Sequence, residues 1–377
     1  MINNIVEGNE FKLNSVRGSV YEPVTGWSYS HHAHITFFKG KFWAIWSNGR
    51  VNEDDLGQRV MMAESLDGVT WTNLHPVVTP EMLGDATKVV TAAGFHINGE
   101  ILNLYYGSYN YSNVSLQDND TVRPAADGFH ENTDLGFIST EDCVNWTKPK
   151  SLGISIIPNH GPQRTNSGRL IISGNIMFPY TDNPNGLDGY KITGIYGEAF
   201  GDKPTVDDSE TIHHVTKFNQ WDARLICEGS FYQTNDNVLH MLLRSNSRCL
   251  WHSESSDDGT TWSEPKPTEY SDDGSKFHFG KLPDGRFYGV SNAKVRGGRC
   301  PLDLYLSSDG INFNKHYIIR DEHYEMQVEG MYKGGIYGYP HTLIHEGYMY
   351  VIYSKRKEAI EVTKFKLDQL RGWVDIV

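Results

Sequence analysis

Residues 255–262 read Ser-Ser-Asp-Asp-Gly-Thr-Thr-Trp, a pattern typical of a tight hairpin turn with an aromatic residue packed beneath it. In such a turn the Ser and Asp side chains bond to nearby backbone N–H groups, and the glycine adopts a positive φ. The pattern returns, one residue shorter, at 65–71 and 307–313. A degenerate copy covers 139–146, where Glu141 takes the Asp position and Cys143 the Gly position. These four copies predict a chain built from repeated hairpins.

A second repeat, a strand–turn–strand unit, runs along the whole chain. When its turn residues are aligned, the positions eight residues earlier mark the start of each inner strand: His32, Thr91, His160, Glu228, Phe277 and Tyr339. The successive separations of 59, 69, 68, 49 and 62 residues suit four-stranded blades. We therefore predict one all-β domain, residues 1–377, folded as a β-propeller. It has six visible repeats, and its N- and C-terminal segments close the ring.

The composition excludes several other classes of protein. The chain has 34 Lys and Arg against 47 Asp and Glu, a formal net charge of −13, so we expect no nucleic-acid partner and no membrane partner. The four cysteines lack CxxC spacing, which argues against a zinc ribbon or a disulfide scaffold. The first residues show no signal-peptide pattern, so we expect a cytoplasmic protein, or a secreted or periplasmic one if a signal was removed.

The aligned inner-strand positions predict the functional site, because the inner strands of a propeller converge on a central channel. The densest cluster of ionisable residues is His31-His32-Ala33-His34. In a regular strand, His32 and His34 share one face and His31 points away. An acid–base role suits imidazole near neutral pH. A metal site on His32 and His34, for which no third ligand follows at metal-site spacing, and purely structural histidines are the alternatives.

The candidate site residues fall into two groups. The candidate catalytic residues are His32, His31, Tyr339 and His160. The candidate substrate-binding residues are Arg59, Arg164, Asn48, Gln58, Glu228, His341, Arg244 and Arg299. Two of these residues have an equally good structural interpretation: Tyr339 as a packing residue and Arg164 as the partner of a carboxylate. The acidic run at 53–55 is equally well interpreted as a solvated loop. We expect no bound metal and no required cofactor. A structural calcium ion stays open, although no loop offers a convincing set of oxygen ligands.

Four segments carry a family resemblance: 30–60, 159–174, 281–293 and 339–362. The four hairpin turns described above also resemble the Asp-box turns of sialidase-type propellers, and we call them Asp-box turns below. They resemble the sialidase-superfamily propellers that act on uronic-acid glycans. These are the ulvan lyases and the L-rhamnose-α-1,4-D-glucuronate lyases, the latter first described as α-L-rhamnosidases. The resemblance spans about Gly26 to Val362. The second histidine of ulvan lyases is absent, since Val51 and Asn52 occupy its region, which favours the rhamnose–glucuronate group.

This resemblance implies seven blades and a β-elimination at a glucuronate residue. A histidine at His31 or His32 would remove the C5 proton, and Arg59 or Arg164 would neutralise the carboxylate. Tyr339 or His160 would then protonate the leaving oxygen at C4. The implied partner is a uronic-acid-containing oligosaccharide or polysaccharide, and we expect the protein to be a monomer or dimer.

Two alternative functions stay open. The first is a glycoside hydrolase, either an α-L-rhamnosidase or a sialidase-like enzyme. Sialidases use an arginine triad, a Tyr–Glu nucleophile pair and an Asp acid. Tyr339 with Glu228 could form that pair, but the Arg-Ile-Pro motif near the N-terminus is missing. The second is a propeller that binds glycans without cleaving them, with Trp27, Trp43 and Trp46 as stacking residues.

Overall fold

The computed structural model describes residues 1–6, 11–111, 114–116, 122–124, 130–195, 226–245, 247–294 and 298–370. The strands, in chain order, are β1 (Phe11–Lys12), β2 (Ser15–Tyr21), β3 (Tyr29–Phe38), β4 (Lys41–Gly49), β5 (Arg59–Ser65), β6 (Trp71–Val78), β7 (Val89–Asn98), β8 (Ile101–Tyr111), β9 (Val114–Leu116), β10 (Val122–Pro124), β11 (His130–Thr140), β12 (Lys150–Ser151), β13 (Gln163–Arg164), β14 (Leu170–Ile171), β15 (Tyr180–Thr181), β16 (Gly229–Gln233), β17 (Leu239–Leu243), β18 (Cys249–Ser255), β19 (Lys266–Ser271), β20 (His278–Lys281), β21 (Phe287–Ser291), β22 (Leu302–Ser307), β23 (Lys315–Arg320), β24 (Tyr337–His345), β25 (Tyr348–Lys355) and β26 (Ala359–Lys366). Two 3₁₀ helices span Pro80–Leu83 and Leu367–Leu370. Neither they nor any other described helix is long and apolar enough to cross a membrane.

Among the described residues, six antiparallel sheets follow one another along the chain, which is the blade order of a β-propeller, and β9 and β10 form a further two-stranded sheet. From the inner strand outward they are blade 1 (β3-β4-β5-β6), blade 2 (β7-β8-β11-β12), blade 3 (β13-β14-β15), blade 4 (β16-β17-β18-β19), blade 5 (β20-β21-β22-β23) and blade 6 (β24-β25-β26-β2). The inner strand β3 contacts both β24 and β7, and β20 contacts β16 and β24. This arrangement confirms the six repeats. A seventh blade, which the resemblance implied, is not found among the described residues.

The two ends of the chain close the ring. Strand β2 pairs with β26 in antiparallel register, with Ser15 opposite Phe365 and Gly18 opposite Val362, so the N-terminal strand completes blade 6. Strand β1 pairs in parallel with β23, the outer strand of blade 5. Because β2 is followed directly by β3, this pairing joins the chain that enters blade 1 to blade 6.

The Asp-box turns lie between blades and form the expected hydrogen bonds. The Asp67 carboxylate accepts from the N–H groups of Val69 at 2.8 Å and Thr70 at 2.7 Å. Gly68 has a φ of 74° and lies against the ring of Tyr350 in blade 6. The glycines of two further boxes likewise face the preceding blade: Gly259 faces Ile171, and Gly310 faces Thr234. Each of these turns therefore stabilises its own hairpin and packs against the neighbouring blade.

The degenerate copy is better conserved in structure than the sequence alignment suggested. The carboxylate that accepts from the N–H groups of Val144 (2.9 Å) and Asn145 (2.8 Å) belongs to Asp142, so the placing of Glu141 in the Asp position was wrong by one residue. Cys143 does occupy the glycine position, with a φ of 59°. It is buried and unpaired, and the other three cysteines are unpaired as well.

The hydrophobic core lies mostly between adjacent blades. One core cluster joins Val20, Trp46 and Ile352, which belong to blades 1 and 6. Trp43 is packed in the next cluster, between blades 1 and 2. Both tryptophans are therefore unable to stack on a sugar, and of the three proposed stacking residues only Trp27 remains partly exposed.

We expect Gly68→Ala to destabilise the protein more than Gly40→Ala. Both glycines have a positive φ, near 74° and 80°, but an added Cβ at Gly40 meets nothing within 4 Å, whereas one at Gly68 overlaps the Tyr350 ring. Gly40→Ala should cost about 1 kcal/mol from backbone strain alone. Gly68→Ala should cost roughly 1–3 kcal/mol more from overpacking. Urea unfolding of the two variants would measure the difference, and equal losses would contradict the packing of this turn between blades.

Candidate active site

Bulges in two inner strands turn aromatic side chains into one end of the channel. The register of blade 1 shifts after His31, and that of blade 6 shifts after Gly338. His32 and Tyr339, which sit in these bulges, have φ values of 52° and 55°, a conformation that non-glycine residues rarely adopt and that often marks functional sites. The His31 ring lies 3.9 Å from that of Tyr339, and the His32 ring lies 5.0 Å from it. The expectation that His31 points away from the site was therefore wrong, because it assumed a regular strand.

A tyrosine, a glutamate and an arginine form the centre of this site. The phenol of Tyr339 donates a hydrogen bond to the carboxylate of Glu228. Nη1 of Arg244 donates to the other Glu228 oxygen at 2.7 Å and to the Tyr339 oxygen at 3.1 Å. The backbone N–H of Arg244 also bonds to the Glu228 carbonyl at 2.9 Å, because the two residues lie opposite each other at the channel end of blade 4.

The electrostatics of this group favour an ionised glutamate beside a neutral phenol. Burial alone would raise the pKa of Glu228, but the charge of Arg244 and the hydrogen bonds from Tyr339 and Arg244 lower that pKa to about 2. Burial and the neighbouring Glu228 charge raise the pKa of Tyr339 well above its usual value. At neutral pH Glu228 is thus an acceptor for the phenolic proton.

Three more cations surround the Tyr339 ring. Nζ of Lys276 lies 5.2 Å from its centre, Cζ of Arg299 lies 5.9 Å away, and Nζ of Lys357 lies 6.0 Å away. Arg299 donates from Nη2 to the Gly274 carbonyl at 2.7 Å, while its buried Nη1 has no hydrogen-bond partner among the described residues. An unpaired buried guanidinium nitrogen is costly, so it points to a ligand that accepts hydrogen bonds.

The acidic run after strand β4 belongs to the site and is not a solvated loop. Glu53 accepts from the Tyr29 hydroxyl at 3.0 Å and forms an ion pair with Lys357 at 2.6 Å. Its carboxylate lies within 4.8 Å of ring nitrogens of His31 and His32. Asp55 is buried and accepts from the backbone N–H groups at positions 51 and 52, which shapes the loop. Sequence reasoning left Glu53 undecided because only the fold brings it beside Lys357.

The two site histidines are neutral bases at physiological pH. Burial lowers the pKa of His31 well below its usual value. Burial and the charge of Lys276 lower the pKa of His32 to about 3. A hydrogen bond joins Nδ1 of His31 to the Ser354 hydroxyl at 2.7 Å, and the His31 Nε2 atom has no partner among the described residues. His32 Nδ1 lies 3.3 Å from the Ser47 hydroxyl.

Three residues predicted to bind substrate contact neighbouring parts of the protein: Arg59, Asn48 and Gln58. Arg59 stacks on Trp27 at 3.5 Å and donates to the Asn48 side chain at 3.2 Å. Asn48 is buried and donates to the Tyr29 carbonyl, and Gln58 donates to the Val90 carbonyl and so links blades 1 and 2.

Arg164 is placed outside the site. It is exposed and bonds within its own turn, to the Gly168 carbonyl. Among the described residues, no carboxylate forms an ion pair with Arg164.

His160 and His341 lie elsewhere in the channel. Their rings are 5.9 Å apart and group with His34 and His278, not with Tyr339. His160 was predicted as a catalytic residue and His341 as a substrate-binding residue, but in the described part of the chain no ring contact or hydrogen bond joins either of them to Tyr339.

Lys276 was missed because the alignment of blade 5 was one residue out of phase. Phe277, the aligned residue, is 1% exposed and lies in a core cluster. Its neighbours Lys276 and His278 therefore lie on the opposite side of the chain, and Lys276 reaches the site. A one-residue slip exchanges the two faces of a strand, so the alternation Lys-Phe-His-Phe at 276–279 was the available signal.

Comparison with known proteins agrees with the observed fold. A profile of the BNR repeat-like domain matches residues 40–351. The chain belongs to this family. No curated protein matches the sequence of this BNR repeat-like chain.

Solved structures share the fold at low identity. A protein of unknown function from Dyadobacter fermentans is 12% identical, with a TM-score of 0.63, over 94% of this chain and 98% of its own. The intramolecular trans-sialidase from Ruminococcus gnavus is 12% identical, with a TM-score of 0.65 and the same coverage. Trypanosoma rangeli sialidase is 13% identical, with a TM-score of 0.64, over 93% of this chain and 59% of its own. These similarities show that the chain shares its fold with these solved structures.

We expect Lys276→Met to change how stability depends on pH. Burial lowers the pKa of Lys276 to about 7, whereas in the unfolded chain it is near 10.5. Between these values the folded protein binds fewer protons than the unfolded chain, so this lysine makes wild-type stability rise with pH. From pH 7 to pH 9 the wild type should gain about 2 kcal/mol relative to Lys276→Met in urea unfolding. The exposed Lys281→Met is the control, and identical pH profiles for all three proteins would contradict the burial of an ionisable Lys276.

Proposed function

We propose that this protein is a carbohydrate-active enzyme that cleaves the glycosidic bond of an acidic sugar, with Tyr339 as nucleophile and Glu228 as its base. The observation that carries this proposal is the hydrogen bond between the two side chains, with Arg244 donating to both. A Tyr–Glu pair is the nucleophile of the sialidases that the sequence resembles. The shared fold with a sialidase and a trans-sialidase supports the same interpretation.

In the first step, the Tyr339 oxygen attacks the anomeric carbon while its proton passes to Glu228. The bond from the anomeric carbon to the leaving oxygen breaks, and that oxygen takes up a proton from solvent. Arg244 stabilises the charge that shifts between the phenol and the carboxylate. In the second step, water attacks the anomeric carbon, the bond to the Tyr339 oxygen breaks, and neutral His32 accepts the proton of the water and returns it to solvent. Glu228 returns its proton to the phenol, which restores the site.

The charges in the site favour an anionic sugar. The partnerless Nη1 of Arg299 suits a carboxylate oxygen, and Arg244, Lys276 and Lys357 add positive charge around the Tyr339 ring. Glu228 and Glu53 offset only part of that charge. Because the whole chain carries a net charge of −13, attraction of an anion depends on this local pocket.

We expect Tyr339→Phe to lose at least about 100-fold in kcat on an aryl glycoside of an acidic sugar, because it removes the nucleophile and leaves the ring. Aryl glycosides of sialic acid and of glucuronic acid would be assayed by release of the phenol. The exposed Arg164→Met is the matched control and should keep wild-type activity. A fluorinated sugar that slows the second step should leave a covalent adduct on Tyr339, detectable by mass spectrometry of the digested protein. Activity of Tyr339→Phe within tenfold of wild type would contradict this role.

A second candidate is the β-elimination implied by the lyase resemblance. Elimination needs a base for the C5 proton and an acid for the oxygen on the adjacent carbon C4. The Nε2 atom of neutral His31, which has no partner among the described residues, lies beside Tyr339, and this arrangement favours elimination. Here His31 or His32 would remove the C5 proton of a glucuronate, and Tyr339 would protonate the leaving oxygen at C4.

One substrate separates the two reactions. An oligosaccharide with rhamnose on O4 of glucuronate gives ultraviolet absorbance from a C4–C5 unsaturated uronate if it is eliminated. It gives free rhamnose without absorbance if it is hydrolysed. Binding measured by calorimetry without either product would favour a glycan-binding propeller over both enzymes.

A further inference from the structure

Three histidines from three blades meet in the propeller channel, apart from the Tyr339 group. His34 lies on β3 of blade 1, His160 precedes β13 of blade 3, and His341 lies on β24 of blade 6. One ring nitrogen of each lies within 4.8 Å of the others. We propose that these three histidines bind a divalent transition-metal ion such as Zn²⁺.

The ring nitrogens of two of these residues lack protein partners. His34 is 0% exposed, and neither of its ring nitrogens has a hydrogen-bond partner among the described residues. His160 is 1% exposed, and its Nδ1 atom is likewise unpartnered. A buried polar atom without a partner costs about 1–3 kcal/mol. A metal ion would satisfy one ring nitrogen of His34 and the Nδ1 atom of His160 at once, which gives a reason for burying these imidazoles together.

Hydrogen bonds around the cluster select the ligands. Nε2 of His160 lies 3.0 Å from the Phe277 carbonyl, so this nitrogen carries the proton and the lone pair of Nδ1 stays free for a metal. Such an outer hydrogen bond to a carbonyl is the usual support of a metal-binding histidine. His278, the fourth histidine nearby, is held by the Thr342 hydroxyl at 2.7 Å on Nδ1 and by Gln163 at 3.2 Å on Nε2. His341 is held on Nδ1 by the Ile35 N–H at 3.4 Å, which leaves its Nε2 outside these hydrogen bonds. Three of the four histidines therefore keep a ring nitrogen outside these hydrogen bonds.

The space around the cluster fits an ion with an open coordination position. Tetrahedral Zn²⁺ with Zn–N bonds of 2.0–2.1 Å needs ligand nitrogens about 3.4 Å apart, so the rings must close in by about 1 Å. A cavity of about 170 Å³, lined in part by His160, Gln163 and His341, adjoins them. It leaves room for a water ligand and for entry of the ion. Three neutral nitrogen ligands with one open position suit Zn²⁺ or Cu²⁺ better than Ca²⁺ or Mg²⁺.

The sequence concealed this site because its ligands are far apart in the chain. A metal site based on His32 and His34 was considered, and no third ligand followed nearby. In the structure the bulge directs His32 to the Tyr339 ring, while His34 meets residues more than 100 positions away.

The test uses the full-length protein after chelator treatment and removal of the chelator. Titration with ZnCl₂ by calorimetry, together with elemental analysis, should show one ion per chain. His34→Gln and His160→Gln should each weaken binding at least 100-fold. The matched control is His240→Gln, which changes a second group within ligand distance, formed by His240, His252 and Glu254 in blade 4. That variant should bind Zn²⁺ like the wild type.

A second measurement needs no variant and so does not depend on how the variants fold. The wild type loaded with one equivalent of Cu²⁺ should show electron paramagnetic resonance with nitrogen couplings from three imidazoles. Absence of stoichiometric binding would overturn the proposal. So would Zn²⁺ binding that survives both channel variants, binding that His240→Gln abolishes, or a Cu²⁺ spectrum without these couplings. None of these outcomes depends on glycosidase activity.

Discussion

Backbone pairing between β2 and β26 is the constraint on which the rest of this structure depends. It places the first described long strand at the outer edge of the last blade, so that blades 1 and 6 are held as neighbours. Only then can His31 of blade 1 contact Tyr339 of blade 6, and Glu53 pair with Lys357. The Asp-box turn at 65–71 belongs to blade 1 and packs against the Tyr350 ring of blade 6, so side-chain packing also stabilises the contact between these two blades. Closing the ring and assembling the site are therefore one event.

The Tyr339 site contains several buried charged side chains, and burying them is unfavourable for the free energy of folding. Removing ions from water is costly, and a buried ion pair repays that cost only with good geometry and full hydrogen bonding. The Glu228–Arg244 pair meets this condition, because Arg244 donates a hydrogen bond to one carboxylate oxygen of Glu228 and Tyr339 donates one to the other. Arg299 does not, because one of its buried nitrogens is unpaired. A site that keeps such a group is organised for a ligand, in this case one with negative charge.

The channel also separates two kinds of histidine. His31 and His32 face the tyrosine and glutamate, where neutral imidazoles can move protons. His34 and His160 are buried, and their rings contact those of other histidines. Lys276 acts electrostatically on both groups and lowers the pKa of histidines in each.

The sequence by itself determined the blade type and the number of visible repeats. Turn chemistry and two-residue periodicity are local properties, so they can be read from a few neighbouring residues. It also singled out Glu228 and Tyr339, since both lie near the start of an inner strand. It could not show that Phe277 faces the core while Lys276 faces the channel, since a one-residue phase error leaves the pattern almost unchanged.

Tertiary structure alone decided how the side chains meet. The bulge at His32 reverses the expected direction of His31, and register shifts of this kind depend on the neighbouring strand as much as on local sequence. The pairing of Glu228 with Tyr339 joins residues 111 positions apart. Closure of the ring sets such distances, and no local pattern encodes them. The sequence therefore determined which chemical groups were available, and the closed propeller decided which of them act together.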